Sequence, residues 1–172
     1  LCNVLDPGIA VAFGSINSEL RALTPALLQQ LRADYEVATA LCRKAGMQSC
    51  KELREAKKVI CHGKGLSATD LTTLGKLGSV LPALKTLILV EPAAGPDGVQ
   101  RLAERLGAGA LPALNVLAIY MHAGDAGASA LAAAVGRGAM LRLKRLILNG
   151  AAIGDAGLVA LAPALRRLPA LE

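Results

Sequence analysis

A segment close to 29 residues long recurs four times after position 55, and it constrains the fold more than any other feature of the chain. Each copy contains the pattern apolar-x-x-apolar-x-apolar, and successive copies start 28, 30 and 29 residues apart. The patterned residues are Ala56, Val59 and Cys61, then Leu84, Leu87 and Leu89, then Leu114, Leu117 and Ile119, and finally Leu143, Leu146 and Leu148. A period of this length is typical of a stacked array, in which each unit buries its apolar residues against its neighbours.

Each copy predicts a short strand followed by a helix. Side chains two positions apart in a strand point to the same side, so Leu87 and Leu89 should face the interior and the residue between them should face outward. Apolar residues then recur at helical spacing. The helix starts are predicted at Ser67, Gly95, Gly124 and Gly154. Ser67 and Asp70 have the spacing of a capping box. Glycine caps are predicted to end three of the helices, at Gly78, Gly107 and Gly136.

The repeated segment resembles the ribonuclease-inhibitor-like class of leucine-rich repeat proteins. Residues 143–148 (LKRLIL), 153–157 (IGDAG) and 158–161 (LVAL) carry the resemblance, which covers roughly residues 56–172. It implies an α/β horseshoe with parallel strands on the inside and helices on the outside. The class includes inhibitors, immune receptors and activating proteins of the small GTPase Ran. Its members usually place Asn in the loop after each strand, but this chain has Lys64, Pro92, His122 (or its neighbour, because that connection is shorter) and Ala151 at those positions, so we expect less regular turns.

The chain divides into residues 1–55, which lie outside the repeat, and residues 56–172, which hold about four repeats. The first part predicts an all-helical segment, with a long helix starting at Thr24-Pro25 and ending at Gly46. We interpret it as an N-terminal cap or adaptor segment. The end of the chain, Leu168-Pro-Ala-Leu, repeats the approach to a strand, so we expect a truncated array with an exposed apolar face.

A partner is expected on the outward side of the strands, which is the concave side of a horseshoe. The candidate residues form three columns: Lys58, Thr86, Val116 and Arg145; Ile60, Ile88, Ala118 and Ile147; His62, Val90, Tyr120 and Asn149. A fourth column follows, with Gly63, Glu91, Met121 and Gly150. The second column is apolar throughout, and contiguous exposed apolar surface marks interaction sites, although β-branched residues also simply suit strands. Tyr120 is a natural hot spot, and Lys58 and Arg145 favour an acidic protein partner.

These features favour a non-catalytic protein-interaction scaffold. No nucleophile–base–acid set is evident, and the Gly-x-x-Gly turns lack the lysine of a phosphate loop, so neither an enzyme nor a cofactor is predicted. Two alternatives remain open. One is a ubiquitin-ligase substrate receptor, because an F-box-like segment can precede such repeats; it depends on Leu5-Asp-Pro7, Phe13 and Leu20. The other is a Ran-type GTPase activator, for which Arg145 and Asn149 are the only conceivable contacts.

Composition limits the partner and the location further. The net charge is +6, but aromatic residues make up only 2% of the chain, which argues against nucleic acid because single strands bind by stacking on aromatic rings. No basic leader precedes an apolar run, so no signal peptide is predicted. The uncharged span 106–124 is interrupted by Pro112 and Asn115, which argues against a membrane helix. We expect a cytoplasmic or nuclear protein that does not enter a membrane.

The four cysteines show no Cys-x-x-Cys spacing and no histidine at ligand spacing from a pair. They are Cys2, Cys42, Cys50 and Cys61. This pattern favours reduced thiols, with Cys61 in the core, over a zinc site or a disulfide. No metal site is predicted.

Overall fold

The structure, a computed structural model, describes the backbone of residues 18–172 and the side chains of residues 25–172. The F-box hypothesis depends on residues that lie outside these described side chains, and Cys2 lies outside them as well. Helices α1 (Ser18–Lys44) and α2 (Cys50–Glu55) precede the sheet.

Four strand–helix units follow in the described part of the chain, numbered here in sequence order. They comprise β1 (Lys58–His62) with α3 (Ala68–Leu77), β2 (Thr86–Val90) with α4 (Gly95–Arg105), β3 (Val116–Ile119) with α5 (Gly124–Gly136), and β4 (Arg145–Leu148) with α6 (Asp155–Leu165). Short 3-10 turns lie at Gly78–Val80 and Pro92–Ala94.

The strands form one parallel sheet in the order β1-β2-β3-β4. Each strand pairs with the next one along the chain, and a helix provides the crossover that parallel strands require. The α/β class and the four strand positions are therefore confirmed. The register also matches the repeat frame, since Val59 pairs with Leu87, Leu87 with Leu117, and Leu117 with Leu146.

The patterned strand residues and the helix stripes share one core. Buried strand residues are Val59, Cys61, Leu87, Leu89, Leu117 and Ile119, and buried helix residues include Leu71, Leu74, Val99, Leu102, Ala128, Leu131 and Leu161. The helices contact each other in the same order as the strands. Leu146 and Leu148 of β4 are only half-buried, so the predicted burial weakens in the last unit.

Helix α1 extends the core beside the first strand–helix unit, at the β1 edge of the sheet. Its buried residues are Ala38, Leu41 and Cys42, whereas its earlier apolar residues Leu27 and Val37 are exposed. The prediction of a helix start at Thr24-Pro25 is wrong, because α1 is continuous from Ser18 through Pro25.

A salt bridge joins α1 to the first unit. The Lys44 Nζ atom lies 2.8 Å from the Asp70 Oδ2 atom. Asp70 also completes the predicted capping box of α3: it accepts a hydrogen bond from the Ser67 backbone N–H, while the Ser67 side chain accepts one from the Asp70 backbone N–H. This box is confirmed.

Two glycines other than the predicted ones close helices in the left-handed conformation. They are Gly46 (φ +83°), after α1, and Gly138 (φ +86°), after α5. Each follows its helix by two residues and donates back to a carbonyl of the last turn, as a Schellman motif requires. Of the predicted C-terminal cap glycines, Gly78 is confirmed as the C-cap residue of α3, with a right-handed φ of −55°. The C-cap residues of α4 and α5 are Leu106 and Arg137, so the predictions at Gly107 and Gly136 are wrong by one residue each.

Candidate functional site

The predicted partner residues lie on one side of the sheet, which we call the outer sheet face: Lys58, Ile60, His62, Thr86, Ile88, Val90, Val116, Ala118, Tyr120, Arg145, Ile147 and Asn149. Six of them are exposed, namely Lys58, Ile60, His62, Tyr120, Arg145 and Asn149. Five are half-buried, namely Thr86, Ile88, Val90, Val116 and Ile147. The side chains available to a partner are therefore concentrated on β1, at the end of β3 and on β4.

The strand register brings the predicted columns together. Lys58, Thr86, Val116 and Arg145 are successive partners across the sheet, as are Ile60, Ile88, Ala118 and Ile147. Parallel neighbours lie about 4.8 Å apart, so each column spans about 15 Å. In the third column His62 pairs with Val90, and the Tyr120 N–H donates to the Leu89 carbonyl at 2.8 Å, so the backbone pairing extends to Tyr120.

The apolar column is interrupted in its middle. Ile60 is 43% exposed, but Ala118 is only 1% exposed. Ala118 lies between Ile88 and Ile147 in the register, and both neighbours have much larger side chains than its single methyl group. The prediction that the whole column is exposed is therefore wrong at Ala118, and that residue can offer a partner little contact.

Tyr120 supplies an aromatic group beside this column. It is 39% exposed just beyond the end of β3. Tyrosine offers a large apolar ring together with a hydroxyl group that can hydrogen-bond, which is why it is enriched at protein interfaces. Ile60 and Tyr120 are consequently the most accessible large apolar residues of the outer sheet face.

A row of basic residues, which the repeat pattern does not predict, lies where the strands begin. Backbone hydrogen bonds run from Lys85 to Lys57, from Asn115 to Lys85 and from Lys144 to Asn115, each at 2.8 Å. These residues directly precede the first column, so the two rows together contain Lys57, Lys58, Lys85, Lys144 and Arg145 among eight positions, with no acidic residue. We call these five residues the basic edge. All five are exposed.

Two of the four residues in the fourth predicted column are buried, while Gly63 and Gly150 are exposed. Met121 is buried, and Glu91 is 1% exposed. The Glu91 carboxylate accepts hydrogen bonds from the backbone N–H of Lys64 at 2.7 Å and of Leu66 at 3.2 Å. A buried carboxylate needs such hydrogen-bond donors, because transferring a carboxylate from water to the protein interior without them costs at least several kcal/mol. Glu91 therefore shapes the loop after β1 from the neighbouring strand, a role that its sequence position gave no sign of.

Backbone carbonyl and carboxylate oxygens connect the loops of neighbouring units. The Ala151 carbonyl accepts from the N–H groups of Ala123 and Gly124, both at 2.9 Å. The Asp125 carboxylate accepts from the N–H groups of Gly154 at 2.7 Å and Gly157 at 3.1 Å. Neighbouring units are thus connected at the starts of α5 and α6.

The ionisable groups show no sign of a reactive centre at Cys61. Burial raises the pKa of the Cys61 thiol to about 11; the negative charge of Glu91 adds to the rise, and Lys64 opposes it. A thiol in this state is a weak nucleophile and a weak metal ligand at neutral pH. Among the residues whose side chains are described, no group of three His, Cys, Asp or Glu could hold a metal ion.

Helix α1, the longest helix between residues 18 and 172, is too polar to span a membrane, and the other helices of that range are also unsuited to it. Comparison with protein-family models gives no match, and comparison with curated proteins gives none either.

Proposed function

We propose that this chain is a leucine-rich-repeat-like scaffold, without catalytic activity, that binds an acidic protein partner through the outer sheet face. The observation that carries the proposal is the combination of exposed apolar groups on the outer sheet face with a basic edge where the same strands begin. Ile60 and Tyr120 supply the apolar groups, and no residue of the basic edge or of the outer sheet face is acidic.

The two parts of this surface have different roles in binding. Burial of Ile60 and Tyr120 supplies affinity, since a few large anchors usually dominate an interface. The basic edge attracts carboxylates over a longer distance and mainly raises the association rate. Because exposed charges are screened by salt, binding should weaken as the ionic strength rises.

We also propose that the four units curve into a horseshoe, with the outer sheet face on the concave side. Its support is the order of the four parallel strands and the identical order of the helix contacts. An experimental structure with a flat sheet would contradict the curvature. The ubiquitin-ligase and GTPase-activating alternatives stay predictions, since no contact of the described residues favours either one.

The test compares variants in a quantitative pull-down with the chain immobilised. The site variant is Ile60→Asp combined with Tyr120→Ala. The matched control is Val159→Asp, which places the same charge on an exposed apolar residue of α6, away from the sheet. Partners should be enriched by the wild type and by the control, and lost from the site variant.

A second variant tests the charge. Lys85→Glu with Lys144→Glu should lower the association rate of the captured partner about 10-fold or more at low salt, and less at high salt. Thermal melts establish that each variant is folded. Equal capture by the wild type and by the folded site variant would show that the outer sheet face is not the binding surface.

A further inference from the structure

Two cysteines from different helices lie in contact. The Sγ atoms of Cys42, in α1, and Cys50, the first residue of α2, are 3.6 Å apart. Cys42 is fully buried, whereas Cys50 is half-buried. The spacing of the cysteines in the sequence matches no known motif and favours reduced thiols. The contact between Cys42 and Cys50 comes from the turn that joins the two helices.

The backbone of that turn holds the two helices in a defined arrangement. The Met47 N–H donates to the Cys42 carbonyl at 2.8 Å, and the Gly46 N–H donates to the Arg43 carbonyl at 3.0 Å. Gly46 alone in this turn has the left-handed φ that such a closure requires. The position of the turn is thus fixed at the end that contains Cys42.

The start of α2 is fixed in the same way. The Ser49 side chain accepts from the Glu52 N–H at 3.2 Å, and the Glu52 carboxylate accepts from the Gln48 N–H at 2.7 Å. The Thr39 Oγ1 atom lies 3.9 Å from the Cys50 Sγ atom, so the Cys50 sulfur is also in contact with α1. The two thiols are therefore held together by the local fold.

We propose that Cys42 and Cys50 are an oxidisable pair, which a peroxide converts into a reversible disulfide that fastens α1 to α2. The sulfurs need to approach by about 1.5 Å to reach the S–S bond length. Cys50 reacts first because it is the more accessible of the two, and susceptibility to oxidation follows accessibility.

The reaction has two steps. In the first, the Cys50 thiolate attacks one peroxide oxygen, the O–O bond breaks, and Cys50 becomes a sulfenic acid while the other oxygen leaves as water after protonation. In the second, the Cys42 sulfur attacks the Cys50 sulfur, the S–O bond breaks, and a second water leaves. Two thiols and one peroxide yield one disulfide and two waters. A small dithiol restores both thiols by exchange.

The test is a peptide map of the whole folded chain after hydrogen peroxide treatment. Remaining thiols are alkylated in denaturant, and the chain is digested with trypsin. Cleavage after Arg32, Arg43, Lys44 and Lys51 places Cys42 in peptide 33–43 and Cys50 in peptide 45–51. We expect the two peptides to be joined after oxidation and separate after treatment with dithiothreitol. Cys61, in peptide 59–64, is the internal control and should remain alkylated.

The wild-type map decides the outcome by itself. Three results would overturn the proposal: Cys50 oxidised to a sulfinic acid with no linkage, Cys50 joined to Cys2 or Cys61, or linkage only between two copies of the chain. Cys42→Ser and Cys50→Ser give a second measurement. Oxidation should raise the melting temperature of the wild type and leave that of either folded variant unchanged, and a wild-type melting temperature that oxidation does not raise contradicts a link between α1 and α2.

Discussion

The third and fourth units have nearly the same sequence pattern, yet they bury it to different degrees. Leu117 and Ala128 of the third unit are fully buried, whereas the corresponding Leu146 is half-buried and Leu158 is 56% exposed. Among residues 18–172, the third unit has a neighbour on each side, whereas the fourth has one only on the side of β3 and α5. Nearly the same pattern therefore yields full burial only where a following unit covers it.

This difference shows that the repeat pattern specifies which side chains point inward. How much each of these side chains stabilises the fold depends on the units that pack against it. A Leu side chain stabilises the fold by roughly 1.5–3 kcal/mol only when it leaves water completely. Stability in such a stack depends on the interfaces between units as much as on each unit. The first unit, unlike the fourth, is covered on its outer side by a helix. Helix α1 contributes Ala38 and Leu41 to the core there, and the Lys44–Asp70 salt bridge joins it to α3.

The largest expected effect is a difference in the free energy of unfolding between substitutions at Leu117 and Leu146, which occupy equivalent positions in the repeat. The pattern alone predicts equal costs, but their burial predicts that Leu117→Ala lowers the free energy of unfolding by about 2–5 kcal/mol and that Leu146→Ala costs about half as much. Urea denaturation measures both. Equal losses would contradict the conclusion that the neighbouring unit determines the contribution.

A glycine pair tests how closely the units pack. A methyl group at Gly75 of α3 would lie 2.5 Å from the Leu102 carbonyl oxygen of α4, so Gly75→Ala should lower the free energy of unfolding by about 1–3 kcal/mol. Gly136, at the end of α5, has no atom within 4 Å of that position. Gly136→Ala is the matched control and should be neutral, or stabilising by up to about 1 kcal/mol. Tolerance of Gly75→Ala would show that α3 and α4 are free to separate.

The next prediction concerns pH and the attachment of α1. Burial alone would raise the pKa of Asp70, but the hydrogen bonds from Lys44 and Ser67 outweigh it and hold the pKa below its ordinary value of 3.8. A lowered pKa in the folded state means that the carboxylate stabilises the fold above pH 3.8 and that this contribution is lost as the pH falls through the folded-state pKa.

Asp70→Asn should therefore cost about 1 kcal/mol at pH 7, and the difference from the wild type should shrink below pH 3.8. Unfolding curves measured at several pH values give both quantities. Lys44→Ala removes the salt bridge but leaves the capping box, so its effect at pH 7 should be the smaller one. A difference between Asp70→Asn and the wild type that is independent of pH would assign the effect to packing instead.

The smallest effect is expected at the uncovered helix α6. Leu158→Ala should change the free energy of unfolding by no more than about 0.5 kcal/mol, because more than half of the residue is already exposed to water. Leu71→Ala, at the corresponding position of α3, is the matched control and should cost about 2–5 kcal/mol because Leu71 is fully buried. A large loss at Leu158 would mean that α6 is covered in solution, for instance by a second copy of the chain.

Much of the fold could be predicted from the sequence, because it depends on patterns within one unit. The strand positions, the inward residues and the capping box at Ser67 all follow from spacing, and the equal spacing of the repeats also predicts the sheet register. The start of α1 could not be predicted from the sequence, because Pro25 is typical of the first turn of a helix but lies inside α1. The cap glycine of α5 was also misassigned, because Gly136 and Gly138 are two residues apart and only the backbone shows which one is left-handed.

The candidate site was harder to predict, because its details depend on contacts between units. The columns could be derived from the spacing, but the burial of Ala118 depends on the size of its neighbours across the sheet. The basic edge becomes visible only when Lys57, Lys85 and Lys144 are aligned by their backbone hydrogen bonds. The binding role of all these residues stays a proposal.

The side-chain links between units have a mechanical consequence. Glu91 joins the second unit to the first, Asp125 joins the third to the fourth, and Arg137 donates from the third unit to the Ala103 carbonyl of the second at 2.8 Å. Each link thus connects immediate neighbours. If the chain were stretched from its C-terminal end, the force would act on one boundary between units at a time. The units should then unfold one after another, in a series of small extension steps of similar size.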